Sequence, residues 1–134
     1  PKPINMSLQK TRAKLIADTL KDSKYDVLLF QEAFAYSATK VLKRDLKANY
    51  PYQTKLKTNG MKLNSGLMIF SRFPFNILAK TYFDDCANTD CYAAKGVLLI
   101  EVLLPDNKKI QIANTHMQAW NNDESKAVRM LQFK

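Results

Sequence analysis

The chain has a single histidine, His116, and only two cysteines among its 134 residues. Cys86 and Cys91 lie in one short loop, with no second pair of ligands nearby. A structural zinc site, which needs four, is thereby disfavoured. A local disulfide, pointing to an oxidising compartment, and two free thiols both fit the spacing. No run is long and apolar enough to cross a bilayer. Internal repeats, low-complexity tracts, a signal peptide and a targeting tail are all missing from the sequence. An initiating methionine is missing too: the first residue is Pro1. The expectation is that an upstream part was removed or never included.

Acidic residues are scarce, 12 against 21 Lys and Arg, which gives a formal net charge of +9. The excess is uneven. Residues 1–62 hold 13 basic and 5 acidic side chains, hence +8, and the remainder holds 8 and 7, hence +1. A basic face of this kind can meet phosphates of nucleic acid or of lipid headgroups. Ordinary solvated helix faces account for most of the same lysines, and an acidic missing segment would cancel the excess. Hydrophobic residues at 46% and charged ones at 25% match a soluble globular chain with enough apolar surface for a core.

Periodicity gives the elements. Ser7–Lys21 reads as a helix with Leu8, Leu15, Ile16 and Leu20 near one face. Asp26–Phe30 (DVLLF) is a short apolar run that suits a buried strand. Ser37–Ala48 reads as a second helix, with Ser37 able to cap it and Ala38, Leu42 and Leu46 facing inward. Strands follow at Tyr52–Lys57, Gly66–Ser71, Asn76–Phe83, Ala94–Leu104 and Lys109–Thr115. The turn signal Pro105-Asp106-Asn107 joins the last two as a hairpin. Asp123–Lys134 is a helix with Val128 and Leu131 on one face. It meets no glycine or proline stop, so the chain is expected to be cut inside or just after it. The fold class is α+β, a mostly antiparallel sheet with helices on one face. If the other face is apolar it needs a second layer, which this chain need not contain.

Several residues can carry chemistry. His116 sits where a strand ends, in Asn114–Trp120 (NTHMQAW), and histidine moves protons near neutral pH. A histidine satisfied by local hydrogen bonds is the bland alternative. Gln31-Glu32 directly follows the apolar run DVLLF, and a half-buried carboxylate there needs a partner. A hard divalent cation would serve, and so would a salt bridge to lysine. Asp90 can orient a histidine and Lys95 can hold a phosphate, although a polar loop explains both equally well. Phe70, Phe73 and Phe75 read as core. Trp120 reads either as core or as an apolar contact beside a cleft.

Taken in order, DVLLFQEAF, LNSGLMIFSRFPF, TDCYAAKGVLLIEV and ANTHMQAW resemble the first half of the endonuclease/exonuclease/phosphatase superfamily, and within it the neutral sphingomyelinases. The strand-then-QE pattern and the TH motif belong to the whole superfamily. The NSGL…SRFP block, the D-x4-KG block and the Gln-Ala after the histidine are nearer to sphingomyelinases than to DNA-repair nucleases. The resemblance implies a four-layer α/β sandwich, two sheets face to face with helices outside, of which residues 1–134 form an incomplete domain. The first strand and the C-terminal half would lie outside it.

The resemblance also implies a magnesium-dependent (or other divalent-cation-dependent) phosphodiesterase that acts on phospholipid at a membrane surface. Sphingomyelin would give ceramide and phosphocholine. Glu32 would be a metal ligand, His116 a stabiliser of the transition state, and Asp90 the carboxylate that interacts with that histidine. Lys95, Asn64, Asn114 and Gln118 would bind phosphate or support the site. The Phe34 carbonyl matches an edge-metal position of secreted bacterial members, but Asn64 and Ser65 stand where those members carry acids. This departure argues against an edge metal and toward the pattern of membrane-associated animal enzymes. The family's general base lies outside this chain, so the fragment alone is expected to be inactive. By analogy the protein would be secreted or membrane-peripheral. A nuclease of the same fold and a non-catalytic interaction module are the alternatives.

Overall fold

The computed structural model describes residues 6–55 and 64–134. Chain order is α1 (Met6–Leu20), β1 (Val27–Phe30), α2 (Tyr36–Asp45), β2 (Tyr52–Gln53), β3 (Met68–Ser71), β4 (Phe75–Tyr82), β5 (Gly96–Leu103), β6 (Lys109–His116) and α3 (Asp123–Gln132). A single 3-10 turn, Asn88–Tyr92, precedes β5. The strands form two antiparallel sheets, ordered β1-β3-β2 and β4-β5-β6. The expected strand at Tyr52–Lys57 is short, and its end lies outside the described residues.

Both faces of β3 are buried, and this organises the molecule. Met68 and Phe70 point toward α1 and α2, where they pack with Ala13, Ala17, Leu28, Leu42, Leu46 and Tyr50. Leu67 and Ile69 point the other way, onto Leu98, Ile100 and Val102 of β5. The alternation of β5 follows, with every second residue buried. The second layer that the apolar face demands is therefore present, supplied by the chain's own later strands. Phe73 and Phe75 pack into this inter-sheet core, and Phe70 lies in the helix-side core, as expected of all three.

Four local expectations need correction. The buried stripe of α1 is Ala13-Ala17-Leu20, and Leu15 is 63% exposed, with Leu8 and Ile16 also outward. Alanines four apart let α1 approach α2 and the sheet closely, so the small residues define the inner face. Ser37 does not cap α2: Ala35 occupies the cap position without a side-chain bond, and Ser37 falls in the first turn. In β1, Leu28 is buried but Leu29 is exposed, because β1 pairs with β3 on one side only among the described residues. In α3, Val128 is buried while Leu131 is exposed. Asn122 caps this helix by accepting from the Ser125 N–H at 2.8 Å.

Candidate functional site

Two strand ends meet at one edge of the sandwich. β1 ends into Gln31-Glu32, and β6 ends on His116, which pairs with Gly96 at the start of β5. Glu32 has a φ of 56°, in the left-handed region that non-glycine residues rarely adopt. A tight turn holds it there, with the Phe34 N–H donating to the Glu32 carbonyl at 2.8 Å and the Ala33 N–H to Gly66 at 3.0 Å. Gly66 has a φ of 67°, and a Cβ there would lie 3.0 Å from the Glu32 backbone and 2.8 Å from the Phe34 ring. Only glycine allows this approach without displacing the acidic residue.

The turn aims the Glu32 carboxylate at His116. Oε1 lies 3.4 Å from Nε2; the carboxylate side chain is 70% exposed and the imidazole side chain 13%. The other ring nitrogen, Nδ1, is buried without a hydrogen-bond partner among the described residues. Burial pushes the His116 pKa below its ordinary value, and the nearby Lys95 charge pushes the same way, against the opposing pull of Glu32 and Asp90. The shift favours the neutral imidazole, and Nε2 is the ring nitrogen that faces the carboxylate.

Asp90 does not hydrogen-bond His116, contrary to the expected pairing. Its Oδ2 accepts from Lys95 Nζ at 2.7 Å and from the Ala119 N–H at 2.7 Å, while Lys95 also donates to the Met117 carbonyl at 2.9 Å. Both side chains of this ion pair are largely buried, 7% exposed for Lys95 and 14% for Asp90. Burial raises the Asp90 pKa, but the Lys95 ammonium and the Ala119 N–H outweigh it and leave the carboxyl below its usual range. The pair holds the loop after His116 and acts on the imidazole through charge only. Lys95 points inward, so its ammonium is occupied by the protein rather than presented to solvent.

The remaining expected residues also turn inward. Gln118 is buried and holds the 86–91 loop: the Ala87 N–H donates to its Oε1 at 2.9 Å, and its Nε2 donates to the carbonyls of Ala87 and Ala119 at 3.3 Å. That loop is closed by a Cys86–Cys91 disulfide. Asn64 accepts from the Gly66 N–H at 2.8 Å and reaches the Phe34 carbonyl with Nδ2 at 3.5 Å. Asn114 lies between the sheets. Of the expected set, Glu32 meets His116 and Asp90 meets Lys95.

The sequence reading missed Arg129 and Gln132 on α3. The Arg129 guanidinium donates to the carbonyls of Gln118 at 2.9 Å, Ala119 at 3.2 Å and Trp120 at 2.5 Å. Gln132 accepts from the Gln118 N–H at 2.8 Å and donates to the Asp85 carbonyl at 2.8 Å. No local pattern marks either residue, since their partners are backbone atoms of other segments. Trp120 is exposed with a φ of 71°, which excludes the core reading.

Among the described residues, no three of His, Cys, Asp and Glu converge as a metal centre. Glu32 nevertheless fits as one ligand of a hard divalent cation, since its side chain is mostly exposed.

Comparison with known proteins places these features in a family. Residues 4–121 match the Endonuclease/Exonuclease/phosphatase family. Sphingomyelinase C 2 of Leptospira interrogans serogroup Icterohaemorrhagiae serovar Lai is 30% identical over 123 residues, 81% of this chain and 20% of that protein. The structure of sphingomyelinase C from Streptomyces griseocarneus superposes with a TM-score of 0.80 and 25% identity, covering 93% of this chain and 49% of that one. A mutant of the Staphylococcus aureus beta toxin, solved with bound magnesium ions, gives a TM-score of 0.80 over 92% of this chain and 49% of that one; at 24% identity it carries the fold alone. The chain thus spans about a fifth of the first relative's length and about half of each solved structure. With two antiparallel sheets face to face, the QE turn and the TH strand end at one edge, and a family match over residues 4–121, the chain belongs to the endonuclease/exonuclease/phosphatase family.

Proposed function

We propose that this chain supplies part of the active site of a divalent-cation-dependent phosphodiesterase, and that its substrate is the phospholipid sphingomyelin. The carrying observation is the exposed Glu32 carboxylate 3.4 Å from the half-buried His116 ring. A phosphate ester entering that edge would meet an oxygen ligand for a metal and an N–H donor together. The similarity to sphingomyelinases supports the lipid over other diesters, and magnesium is a hard cation that an oxygen ligand such as Glu32 suits.

A metal held by Glu32 and by ligands from outside these residues would polarise a phosphoryl oxygen and lower the pKa of water. His116 contributes a fixed Nε2–H toward charge that grows on the phosphoryl oxygens, a kind of donor worth about 3 kcal/mol of transition-state stabilisation. A neutral imidazole would donate there without adding a charge that must be desolvated. The Asp90–Lys95 pair, Gln118 and Arg129 keep the loop after His116 fixed, which supports the precision such a donor requires. The general base and the remaining ligands belong to the rest of the domain, so the isolated 134 residues should have no turnover. The products would be ceramide and phosphocholine. The Cys86–Cys91 bridge supports an oxidising, extracytoplasmic setting at a membrane surface.

The excess of +8 over residues 1–62 favours a nuclease as the second reading, because basic faces attract nucleic acid. The test is hydrolysis of sphingomyelin vesicles with magnesium by the full-length protein, with DNA in parallel and with Glu32→Gln and His116→Ala. Magnesium-dependent release of phosphocholine that falls at least ~100-fold in both variants is expected. Cleavage of DNA alone would transfer the same site to the nuclease reading, and no activity on either would overturn the proposal.

A further inference from the structure

The space between the two sheets is largely apolar, lined by Leu67, Ile69, Leu98, Ile100 and Val102. Asn114 of β6 is 1% exposed there, and a carboxamide in such a place is costly unless its bonds are made. They are made, across the sheets. Its Nδ2 donates to the carbonyl of Phe30, the last residue of β1, at 3.1 Å and to that of Met68, the first of β3, at 3.3 Å. Its Oδ1 accepts from Gln31 Nε2 at 2.6 Å. All three partners belong to the other sheet or to the turn that leaves it.

The sequence positions give these bonds their meaning. Asn114 stands two residues before His116 on the same strand, with its side chain on the same face. Gln31 stands immediately before Glu32, and Phe30 one residue earlier. The two side chains that meet at the site sit on different sheets, so sheet-to-sheet packing alone would set their separation. Apolar packing is tolerant of small slides between layers, whereas hydrogen bonds to two carbonyls and one amide are directional.

We propose that Gln31 and Asn114 form a positioning pair that fixes Glu32 against His116, and that neither touches substrate. Burial excludes Asn114 from direct phosphate contact, and Gln31 is committed to it. The inference rests on the proposed phosphodiesterase reading for its kinetic consequence, but its geometric content is independent of that reading.

The experiment uses Gln31→Met, which keeps length and removes the donor, Asn114→Leu and the double variant, all in the full-length protein. Crystal structures give the Glu32–His116 separation, denaturant titration reports folding, and magnesium-dependent hydrolysis gives kcat and KM. In Gln31→Met, whose altered side chain lies at the exposed end of the pair, the separation should grow beyond 3.4 Å. Its kcat should fall roughly tenfold with KM unchanged, a size suited to sub-ångström misplacement. The double variant should be no worse than Asn114→Leu, because the two act as one unit. An unchanged separation in Gln31→Met, or losses that multiply in the double variant, would overturn the proposal. If the unmodified protein hydrolyses no phosphodiester, the functional reading fails by itself, and the separation alone then decides the positioning role.

Discussion

Lys95 occupies a position where a lysine is expensive. Its ammonium is buried and donates to Asp90 and the Met117 carbonyl. Removing one member of such a pair strands the other. Asp90→Ala should therefore cost about 3 kcal/mol at neutral pH, read as a lower urea midpoint. The pH dependence follows from the depressed Asp90 pKa. Its stabilisation is complete above the unfolded value of about 3.9 and is lost as pH falls from there through the lower folded value. The gap between Asp90→Ala and the unmodified protein should close across that acid window and stay constant above it. A gap independent of pH would show that Asp90 acts by packing and not by charge. At this scale the sequence was partly legible. A lone histidine after a strand and a QE step stand out by residue type. The partner of Asp90 does not, because the D-x4-K spacing permits binding to histidine or to lysine, and only the folded loop decides.

Among the elements, two glycines separate support of the fold from support of the site. At Gly96 a Cβ would lie 2.0 Å from the Thr81 carbonyl oxygen in the neighbouring strand. Gly96→Ala must push β4 and β5 apart where they pair, at a cost of about 3 kcal/mol or more. Gly66→Ala meets a positive φ and the edge of the Glu32 turn. Its cost to stability should be smaller, about 1–2 kcal/mol, and its effect on turnover larger, because the carboxylate moves. Thermal unfolding and hydrolysis measured on both variants should rank them in opposite orders. The same scale explains which elements periodicity revealed. β5 alternates because one face meets β3 and the other does not. DVLLF looked fully buried because its composition is apolar, yet burial of Leu29 depends on what lies beside the strand. In α1 the leucines drew attention, although close helix packing selects the alanines.

At the scale of the molecule, charge and apolar surface favour different substrates, and Trp120 offers a way to choose. The excess of +8 lies in residues 1–62, whereas the loop beyond His116 presents an exposed indole. That loop is rigid: Arg129 binds three successive carbonyls, and Asp90 holds the Ala119 N–H. A positive φ at Trp120 would relax in a free loop, so the fold spends conformational strain on displaying the ring outward. Exposed Tyr92 extends from the 3-10 turn whose Asp90 binds this loop. Indoles settle at membrane–water interfaces, with an apolar body and a polar N–H. Trp120→Ala should therefore lower turnover on sphingomyelin vesicles about tenfold, through weaker adsorption worth roughly 1.5 kcal/mol. Turnover on a short-chain, water-soluble analogue should stay within twofold, since no bilayer has to be entered. Equal losses on both substrates would place the ring in the site itself. No loss on either would remove the bilayer from the argument and return weight to the basic half, where salt-sensitive binding of nucleic acid is the consequence to measure.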